Sequence, residues 1–274
     1  MRIIIICKYY EKRSLRMKKM CLLVIAIAGV SGCSGGFGLS RSVNMQRIGK
    51  CAGNAFMDPQ TLIPLAGAVV FGIDDFDQRG SDWAIKHKTV FNTKVNADQA
   101  SDDFLAVLIG ETFISSVIRP CNNENESWSR QKTTQLALQG AIVGAGYGTI
   151  ELVKKGVGRV GPDGWKDTSF PSGHTTGAFI FSTMANDNLN DITSNVYIRT
   201  PLQAVNILLA AGVGMGRVEG GHHYPSDVLA GAALGHFFTR FMQDLLIDSA
   251  AENPVDIGFC PTLEGCAVSI AVHF

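Results

Sequence analysis

The sequence predicts an all-α fold, a helical bundle of about six core helices followed by a short β-like C-terminal tail. Long apolar runs with helical spacing follow residues of the capping type, which is the pattern of helices in a folded domain. Glycine and alanine recur along these apolar faces and permit close contacts between helices. In contrast, residues 256–274 alternate as a strand does, around a Pro/Gly turn.

Six segments carry the helical pattern, at 61–73, 98–119, 127–155, 172–186, 199–218 and 225–247. The third begins at Ser127, a capping-type residue, and brings Lys154 near its C-terminus. The last begins at Pro225, which suits a first helical turn. The most apolar stretches, 136–153 and 202–218, are at the lower limit of length for spanning a bilayer. Because the mean hydropathy of the chain is only +0.15, we expect both to be buried in a soluble bundle tethered to a membrane.

The N-terminus has the pattern of an exported protein. Residues 1–32 are predicted to be a signal peptide, whose translation start is at Met1 or at Met17. Residues 30–32 resemble the lipobox of bacterial lipoproteins, which implies cleavage before Cys33 and lipid attachment to it. An uncleaved membrane anchor is the alternative, although the apolar run is short for a bilayer span. A lipid anchor would place the protein in the cell envelope, facing the periplasm or the exterior, and Ser34 indicates sorting to an outer membrane if the cell has one.

Three further regions are predicted after the signal peptide. Residues 33–54 form the lipidated cysteine and a tether, 55–247 the helical domain, and 248–274 the C-terminal tail. The whole chain has 24 basic and 24 acidic residues, but removal of residues 1–32, with seven basic residues and one acidic residue, leaves a formal net charge of −6. No basic patch with interleaved aromatic residues is present, so nucleic acid is not expected as a partner.

Four cysteines are candidates for disulfides in an exported protein. Cys260 and Cys266 flank the turn of the C-terminal tail, and Cys51 and Cys121 are a candidate second pair. Four cysteines allow three pairings, and the sequence leaves this choice open.

An anion site is predicted between residues 154 and 227. This stretch contains KKGVGRVGP (154–162), SFPSGHTTGAF (169–179) and GRVEGGHHYPSD (216–227). Ser172 is a candidate N-cap, and the amides that follow it at a helix start are suited to bind a phosphate-like anion. His223 lies just ahead of the positive end of the next helix, so that two helix starts are expected to face one anion.

The side chains of this stretch suit phosphoryl transfer without a metal or other cofactor. Asp227 is four residues after His223 and is expected to accept a hydrogen bond from one ring nitrogen, which leaves the other nitrogen as a nucleophile or base. His174 is the candidate general acid for the leaving oxygen. Three cations are expected to neutralise the charge on the transferring phosphoryl group, namely Lys154, Arg159 and Arg217.

These residues resemble the type 2 phosphatidic acid phosphatase superfamily, which includes bacterial acid phosphatases and vanadium-dependent haloperoxidases. The family has three blocks: Lys, six residues, Arg-Pro; then Pro-Ser-Gly-His; then Ser-Arg, five residues, His, three residues, Asp. The second block is intact at 171–174. The third matches except that Gly216 stands where the family has Ser, and the first matches except that Gly161 stands where the family has Arg.

The resemblance implies roles for individual residues. His223 would be the nucleophile that forms a phosphohistidine, Asp227 its orienting partner and His174 the acid. The phosphate would be cradled by Lys154, Ser172, Gly173 and Arg217. Arg159 is expected to replace the missing arginine, because family members often carry a second arginine at this position.

Other interpretations of the same residues have less support. His174, His223 and Asp227 could instead ligate a metal, but neighbouring cations disfavour one and no HExxH pair is present. His222 competes with His223 for the nucleophile role, yet only His223 has Asp227 at the right offset, so we interpret His222 as a turn residue. The acidic residues at 74, 75 and 77 resemble a calcium loop only superficially and are better explained as a solvated turn or a helix cap.

We therefore expect a cell-envelope phosphatase that hydrolyses phosphomonoesters or lipid phosphates and pyrophosphates through a phosphohistidine. A lipid substrate suits the predicted membrane anchor, and a soluble ester suits a periplasmic scavenger. Gly161 and Gly216 motivate an alternative, a catalytically weak phosphate-binding or structural envelope lipoprotein. A vanadate-dependent peroxidase is the third candidate, against which the chain is short and has no recognisable halide site.

Overall fold

The structure is a computed structural model that describes residues 45–121, 126–164 and 168–246, together with four short strand segments outside these ranges. The chain divides into two compact units. Gly49–Met242 forms one, and Met1–Ile48 with Gln243–Phe274 forms the other. All the residues predicted to do chemistry lie in the first unit.

The second unit contains the strands. They are β1 (Ile4–Ile5), β2 (Phe37–Ser40), β3 (Pro254–Thr262) and β4 (Gly265–Val272), and they form an antiparallel sheet in the order β1-β4-β3-β2. The side chains of these strands are not among the described residues. The β-like character of the tail and the Cys260–Cys266 disulfide therefore stay predictions. The signal peptide and the lipidation of Cys33, which lies outside the described residues, also stay predictions.

Eight helices occupy the described residues, two more than predicted. They are α1 (Met45–Met57), α2 (Pro59–Phe71), α3 (Phe76–His87), α4 (Lys94–Ile118), α5 (Trp128–Val157), α6 (Gly173–Ile192), α7 (Val196–Glu219) and α8 (Pro225–Leu246).

The two unpredicted helices, α1 and α3, lack a long apolar run. In α1, which begins inside the predicted tether, only Cys51 and Ala55 are buried, one turn apart. In α3 the buried residues are Asp77, Ser81 and Ala84, a pattern that shows no hydrophobic period in the sequence. Both helices are short and their apolar residues are interrupted by polar ones, so a prediction based on long apolar runs passes over them.

Several helix boundaries follow the predicted cap chemistry. The Ser127 side chain accepts a hydrogen bond from the amide of Arg130 at the start of α5. Gly158 takes the left-handed conformation with φ 59° and ends α5, as glycine does at many helix C-termini. Lys154 is consequently held in the last turn of α5, and Arg159 follows directly in the loop.

The core of the helical unit is formed by α4, α6 and α7. Leu108, Ala178, Ala210 and Val213 from these three helices are fully buried against one another. Neither Cys51, buried in α1, nor Cys121, in the segment after α4, is in a disulfide, so the predicted second disulfide is wrong. The two thiols lie on separate elements and each remains free.

Helices α6 and α8 run side by side in the same direction. A Cβ on Gly231 would lie 2.8 Å from the carbonyl oxygen of Ser172, and one on Gly235 would lie 2.5 Å from that of Thr176. Only glycine permits the two backbones to approach so closely. This contact brings the N-termini of both helices to the same place.

Two helices of the described chain are long and apolar enough to cross a membrane, α5 and α7. The most apolar stretches of these helices are 28% and 17% buried, respectively. The expectation that they are buried inside the bundle is therefore wrong. Large apolar side chains such as Leu152 and Leu208 are instead exposed on their surfaces.

Gly216 is required by the packing of α7 against α4, and a serine there is expected to destabilise the protein. A Cβ at Gly216 would lie 2.6 Å from the carbonyl oxygen of Ala97 and 3.0 Å from the Cβ of Ser101. We expect Gly216→Ser to cost about 1–3 kcal/mol and to lower the thermal unfolding midpoint by several degrees. Gly144→Ser is the control, because nothing lies within 4 Å of its Cβ position. An unchanged midpoint for Gly216→Ser would contradict this account.

Candidate active site

The site lies where the starts of α6 and α8 meet the end of α5. The amide of Ser172 donates to the carbonyl oxygen of Asp227 over 3.0 Å and joins the two helix starts. Ser172 is the N-cap of α6, as predicted, but its hydroxyl oxygen accepts from Thr175 and makes no cap hydrogen bond to an amide. The Lys154 ammonium lies 3.5 Å from the Cβ position of Gly173. Backbone amides and one cation thus adjoin the start of α6, an arrangement suited to an anion.

His223 is buried and held as a neutral imidazole. Its Nδ1 atom lies 2.8 Å from the carbonyl oxygen of Ser169 and 3.9 Å from Oδ2 of Asp227. A carbonyl oxygen only accepts, so Nδ1 donates the hydrogen bond. In the neutral imidazole the lone pair is then on Nε2. The sequence assigned this hydrogen bond to Asp227, and the structure assigns it to the Ser169 carbonyl.

The surroundings of His223 favour its unprotonated form. Burial lowers the pKa of His223, the carboxylate of Asp227 opposes this, and the positive charges of Arg217 and Lys154 lower it further. A neutral imidazole with a free Nε2 is the form that attacks phosphorus.

Asp227 is fully buried and anchors the loop that carries His223. Its Oδ2 accepts hydrogen bonds from the Ser169 hydroxyl and from the amide of Tyr224, and its Oδ1 accepts from Arg159 over 2.7 Å. Burial by itself would raise the pKa of Asp227, but the contact with His223 and these hydrogen bonds outweigh it and lower the pKa. Asp227 is therefore a carboxylate that orients the backbone and side chain of Ser169, which in turn holds His223.

Arg159 binds carboxylates, where the sequence predicted a phosphate contact. Its Nη1 donates to Asp227 and to the Ser226 hydroxyl, and its Nη2 donates to Asp77, each over 2.7 Å. The guanidinium also lies over the ring of Tyr224, 4.3 Å from the ring centroid. Burial would lower the pKa of Arg159, but Asp77 and Asp227 raise it. Both terminal nitrogens are thus occupied within the protein.

Gly161, at the position of the family arginine, is packed against the loop that carries His222 and His223. A Cβ there would lie 3.0 Å from the carbonyl oxygen of His222, 3.1 Å from Oδ1 of Asp163 and 3.2 Å from the Ser169 hydroxyl. A side chain at 161 would have to displace these atoms. Arg159 is directed at carboxylates, whereas Lys154 and Arg217 are cations whose charge lowers the pKa of His223.

Arg217 lies in the last turn of α7, just before the loop that carries His222 and His223. Its carbonyl oxygen accepts hydrogen bonds from the amides of His222 and His223, which fixes the loop that follows. Among the described residues, its buried Nε has no hydrogen-bond partner. An unpaired buried donor on a cation favours binding of an anion, because an unsatisfied donor is costly.

The sequence interpretation missed the carboxylates that hold the other two histidines. Oδ1 of Asp102 lies 3.4 Å from Nε2 of His174, and this contact is the largest influence that lowers the pKa of Asp102. Asp98, one turn earlier on α4, lies 2.8 Å from Nε2 of His222, whose Nδ1 lies 3.1 Å from Asp163. The four-residue spacing of Asp98 and Asp102 at the start of α4 was the available signal. It indicated one helix face but not the histidines that this face meets.

An apolar cavity of about 450 Å³ adjoins the site on the side of Arg159. It lies between α2, the end of α5 and the start of α8, with Asp77, Arg159 and Ser226 at its polar end. Its apolar lining comes from Leu65, Ala68, Val69, Phe71, Val157 and Phe170.

The family model of the PAP2 superfamily matches residues 104–246, just over half of the chain and all three sequence blocks. The chain belongs to the PAP2 superfamily, as its resemblance predicted.

Three known proteins show how far this similarity extends. The chain is 33% identical over 115 residues to a lipid A 1-phosphatase from Porphyromonas gingivalis, which covers 40% of this chain and 23% of that protein. It is 35% identical over 105 residues to a lipid A 1-phosphatase from Rhizobium etli, which covers 32% of this chain and 40% of the relative. The chain spans less than half the length of these curated relatives. It is also similar to the crystal structure of a transmembrane PAP2 type phosphatidylglycerolphosphate phosphatase from Bacillus subtilis. The TM-score is 0.48 and the sequence identity is 17%, and the match covers 70% of this chain and 94% of that one.

Proposed function

We propose that this protein is a membrane-associated lipid-phosphate phosphatase that acts through a phosphohistidine on His223. The observation that carries the proposal is the arrangement of His223. Its Nδ1 donates to the Ser169 carbonyl, and within the described part of the chain its Nε2 has no hydrogen-bond partner. This lone pair lies in a buried site with Lys154, Arg217 and the amides that begin α6. Membership of the PAP2 superfamily agrees with this arrangement.

The reaction would take two balanced steps. In the first, Nε2 of His223 forms a bond to phosphorus, the bond from phosphorus to the leaving oxygen breaks, and His174 donates a proton to that oxygen. In the second, His174 takes a proton from water, the water oxygen attacks phosphorus, and the bond from phosphorus to Nε2 breaks. Lys154, Arg217 and the helix amides would stabilise the charge on the phosphoryl oxygens in both steps.

A lipid substrate is supported by the apolar surfaces of the protein. Helices α5 and α7 leave most of their apolar stretches exposed, as a helix in contact with lipid does. The cavity beside Arg159 adds an apolar space next to the site. The relatives are named lipid A 1-phosphatases, so a glycolipid phosphate is the first substrate to test. The lipid anchor at Cys33 and the outer membrane location stay predictions.

The test is phosphate release by the full chain in detergent micelles with a chelator present. Lipid A, a short-chain phosphatidic acid and an aryl phosphate are compared at equal concentration. We expect kcat/KM to be highest for one of the two lipids. A clear preference for the aryl phosphate would contradict the lipid proposal and favour a soluble ester.

Gly161 favours a second candidate, a protein that binds phosphate but turns it over poorly. Loss of one donor to the transition state costs about a factor of a hundred to a thousand in other enzymes. In this case orthovanadate would raise the thermal unfolding midpoint of the protein, and phosphate release would remain at the level of His223→Ala.

The pH dependence is expected to reflect the lowered pKa of His223. Only unprotonated Nε2 attacks phosphorus, so activity is lost as pH falls through the pKa of His223 in the folded protein. Since burial places this pKa below the ordinary value of 6.5, His223 should stay reactive below pH 6.5. The imidazole titration of His223, followed by NMR of ¹⁵N-histidine protein and assigned with His223→Ala, measures this directly. A midpoint at or above 6.5 would contradict the prediction.

A further inference from the structure

We propose that Asp77, outside all three sequence blocks, is a positioning residue that acts on His223 through Arg159 and Asp227. The inference rests on the proposed function of His223, and it assigns a role to an aspartate that the sequence suggested was a turn residue or cap.

Asp77 is buried, although most of its neighbours on α3 are exposed. The residue is 6% exposed, whereas Phe76 and Trp83 are 47% and 52% exposed. A buried carboxylate is costly unless it is paired and hydrogen-bonded. The hydrogen-bond partners of Asp77 are Arg159 and Ser226, which lie 82 and 149 residues away along the chain and belong to the proposed active site.

These partners connect Asp77 to the start of α8. Its Oδ1 accepts from the amide of Ser226 over 2.8 Å, and its Oδ2 accepts from Arg159 and from the Ser226 hydroxyl. The amide of Ser226 belongs to the first turn of α8, where amides have no partner within the helix. The side chain of an N-cap residue normally accepts a hydrogen bond from such an amide. Asp77 therefore caps α8 from a different helix, one residue before Asp227.

Arg159 transmits this position to Asp227. The same guanidinium donates to Asp77 through Nη2 and to Asp227 through Nη1, and the ring of Tyr224 lies against its face. Asp227 holds the Ser169 hydroxyl, and the Ser169 carbonyl accepts from Nδ1 of His223. A displaced Arg159 would loosen Asp227 and Ser169 together, and with them the hydrogen bond that keeps the proton on Nδ1.

The charges of the network determine the sign of its effect. Two carboxylates and one guanidinium give the trio Asp77, Arg159 and Asp227 a net charge of −1. The other charges that act on His223 come from Arg217 on α7 and Lys154 on α5. Without the Asp77 charge the trio is neutral, so protonated His223 is less favoured and its titration moves to lower pH. Without the Arg159 charge the trio has two negative charges, so the titration moves to higher pH.

The experiment is a double-mutant cycle on the full chain with Asp77→Asn, Arg159→Gln and the double variant. Asp75→Asn is the matched control, because Asp75 is an exposed acid of the same segment whose side chain makes no cap hydrogen bond. Asp77→Asn keeps the shape of the side chain and retains an oxygen for the amide of Ser226. The readouts are kcat and KM for phosphate release, and the NMR titration of His223 imidazole.

We expect Asp77→Asn to lower kcat about tenfold with KM changed less than about twofold, because Asp77 does not touch substrate. On the Arg159→Gln background the same change should cost less than about twofold. The pH midpoint of the His223 titration should move by roughly 0.5 pH units, downward for Asp77→Asn and upward for Arg159→Gln. Asp75→Asn should match wild type in every readout.

The inference would be overturned if Asp77→Asn lowered kcat equally in wild type and in Arg159→Gln, or if it raised KM alone. It would also be overturned if the two single variants moved the His223 titration in the same direction. If Asp77→Asn does not fold, Arg159→Gln alone tests the inference. An unchanged or lowered pH midpoint of the His223 titration in Arg159→Gln would exclude the network. If the wild type releases no phosphate from any substrate, the proposed function fails. The opposite movement of the two titrations would then still establish that Asp77 acts on His223.

Discussion

His223→Ala is expected to lower phosphate release by at least about a thousandfold, because it removes the nitrogen proposed to accept the phosphoryl group. The ring is oriented by the hydrogen bond from Nδ1 to the Ser169 carbonyl, and the charges of Lys154 and Arg217 act on it. Alanine removes this nucleophile but leaves Lys154 and Arg217 to bind phosphate. KM should therefore change much less than kcat.

The measurement combines steady-state turnover with trapping of a radioactive phosphoenzyme that is labile to acid and stable to base. Wild type should form it and His223→Ala should not. His222→Ala is the informative neighbour, because its ring is held by Asp98 and Asp163 and should leave phosphoenzyme formation intact. His87→Ala, on the exposed surface of α3, is the control that should form the phosphoenzyme as wild type does. A phosphoenzyme that persists in His223→Ala, or is lost only in His222→Ala, would contradict the assignment.

The second large effect is expected at Arg217. Gly161 leaves the site without the family arginine, and Arg159 is engaged by carboxylates. Arg217 is, with Lys154, a cation whose charge lowers the pKa of His223. We expect Arg217→Ala to lower kcat/KM by about a hundred- to a thousandfold. Arg217→Lys should recover part of this loss, since it restores the charge without the planar fork.

The same variants should be tested for orthovanadate binding, which reports the anion site without turnover. Arg199→Ala is the matched control, because Arg199 lies near the opposite end of α7. A value of kcat/KM within tenfold of wild type for Arg217→Ala would mean that another cation binds the phosphate. In that case Arg159 would return as the candidate that the sequence suggested.

Local chemistry accounts for what could be predicted from the sequence. The Ser127 cap, the glycine after Val157 and the proline that opens α8 are signals within a few residues of the structures that they cause. The four-residue spacing of His223 and Asp227 brings these side chains within 3.9 Å, but the hydrogen bond predicted between them goes to the Ser169 carbonyl instead. The predicted anion site also required that two helix starts meet, and the amide of Ser172 joins them at the carbonyl oxygen of Asp227.

The sequence by itself therefore determined the all-α class, the family and the short-range geometry of the histidine loop. The tertiary structure alone decided that the Ser169 carbonyl binds His223, that Arg159 holds Asp227, and that Asp77 holds Arg159. It also decided that α5 and α7 expose their apolar faces. The physical reason is range: caps and turns depend on neighbours within about four residues. A buried carboxylate, in contrast, is paired by whichever distant side chain the packing of the helices brings to it.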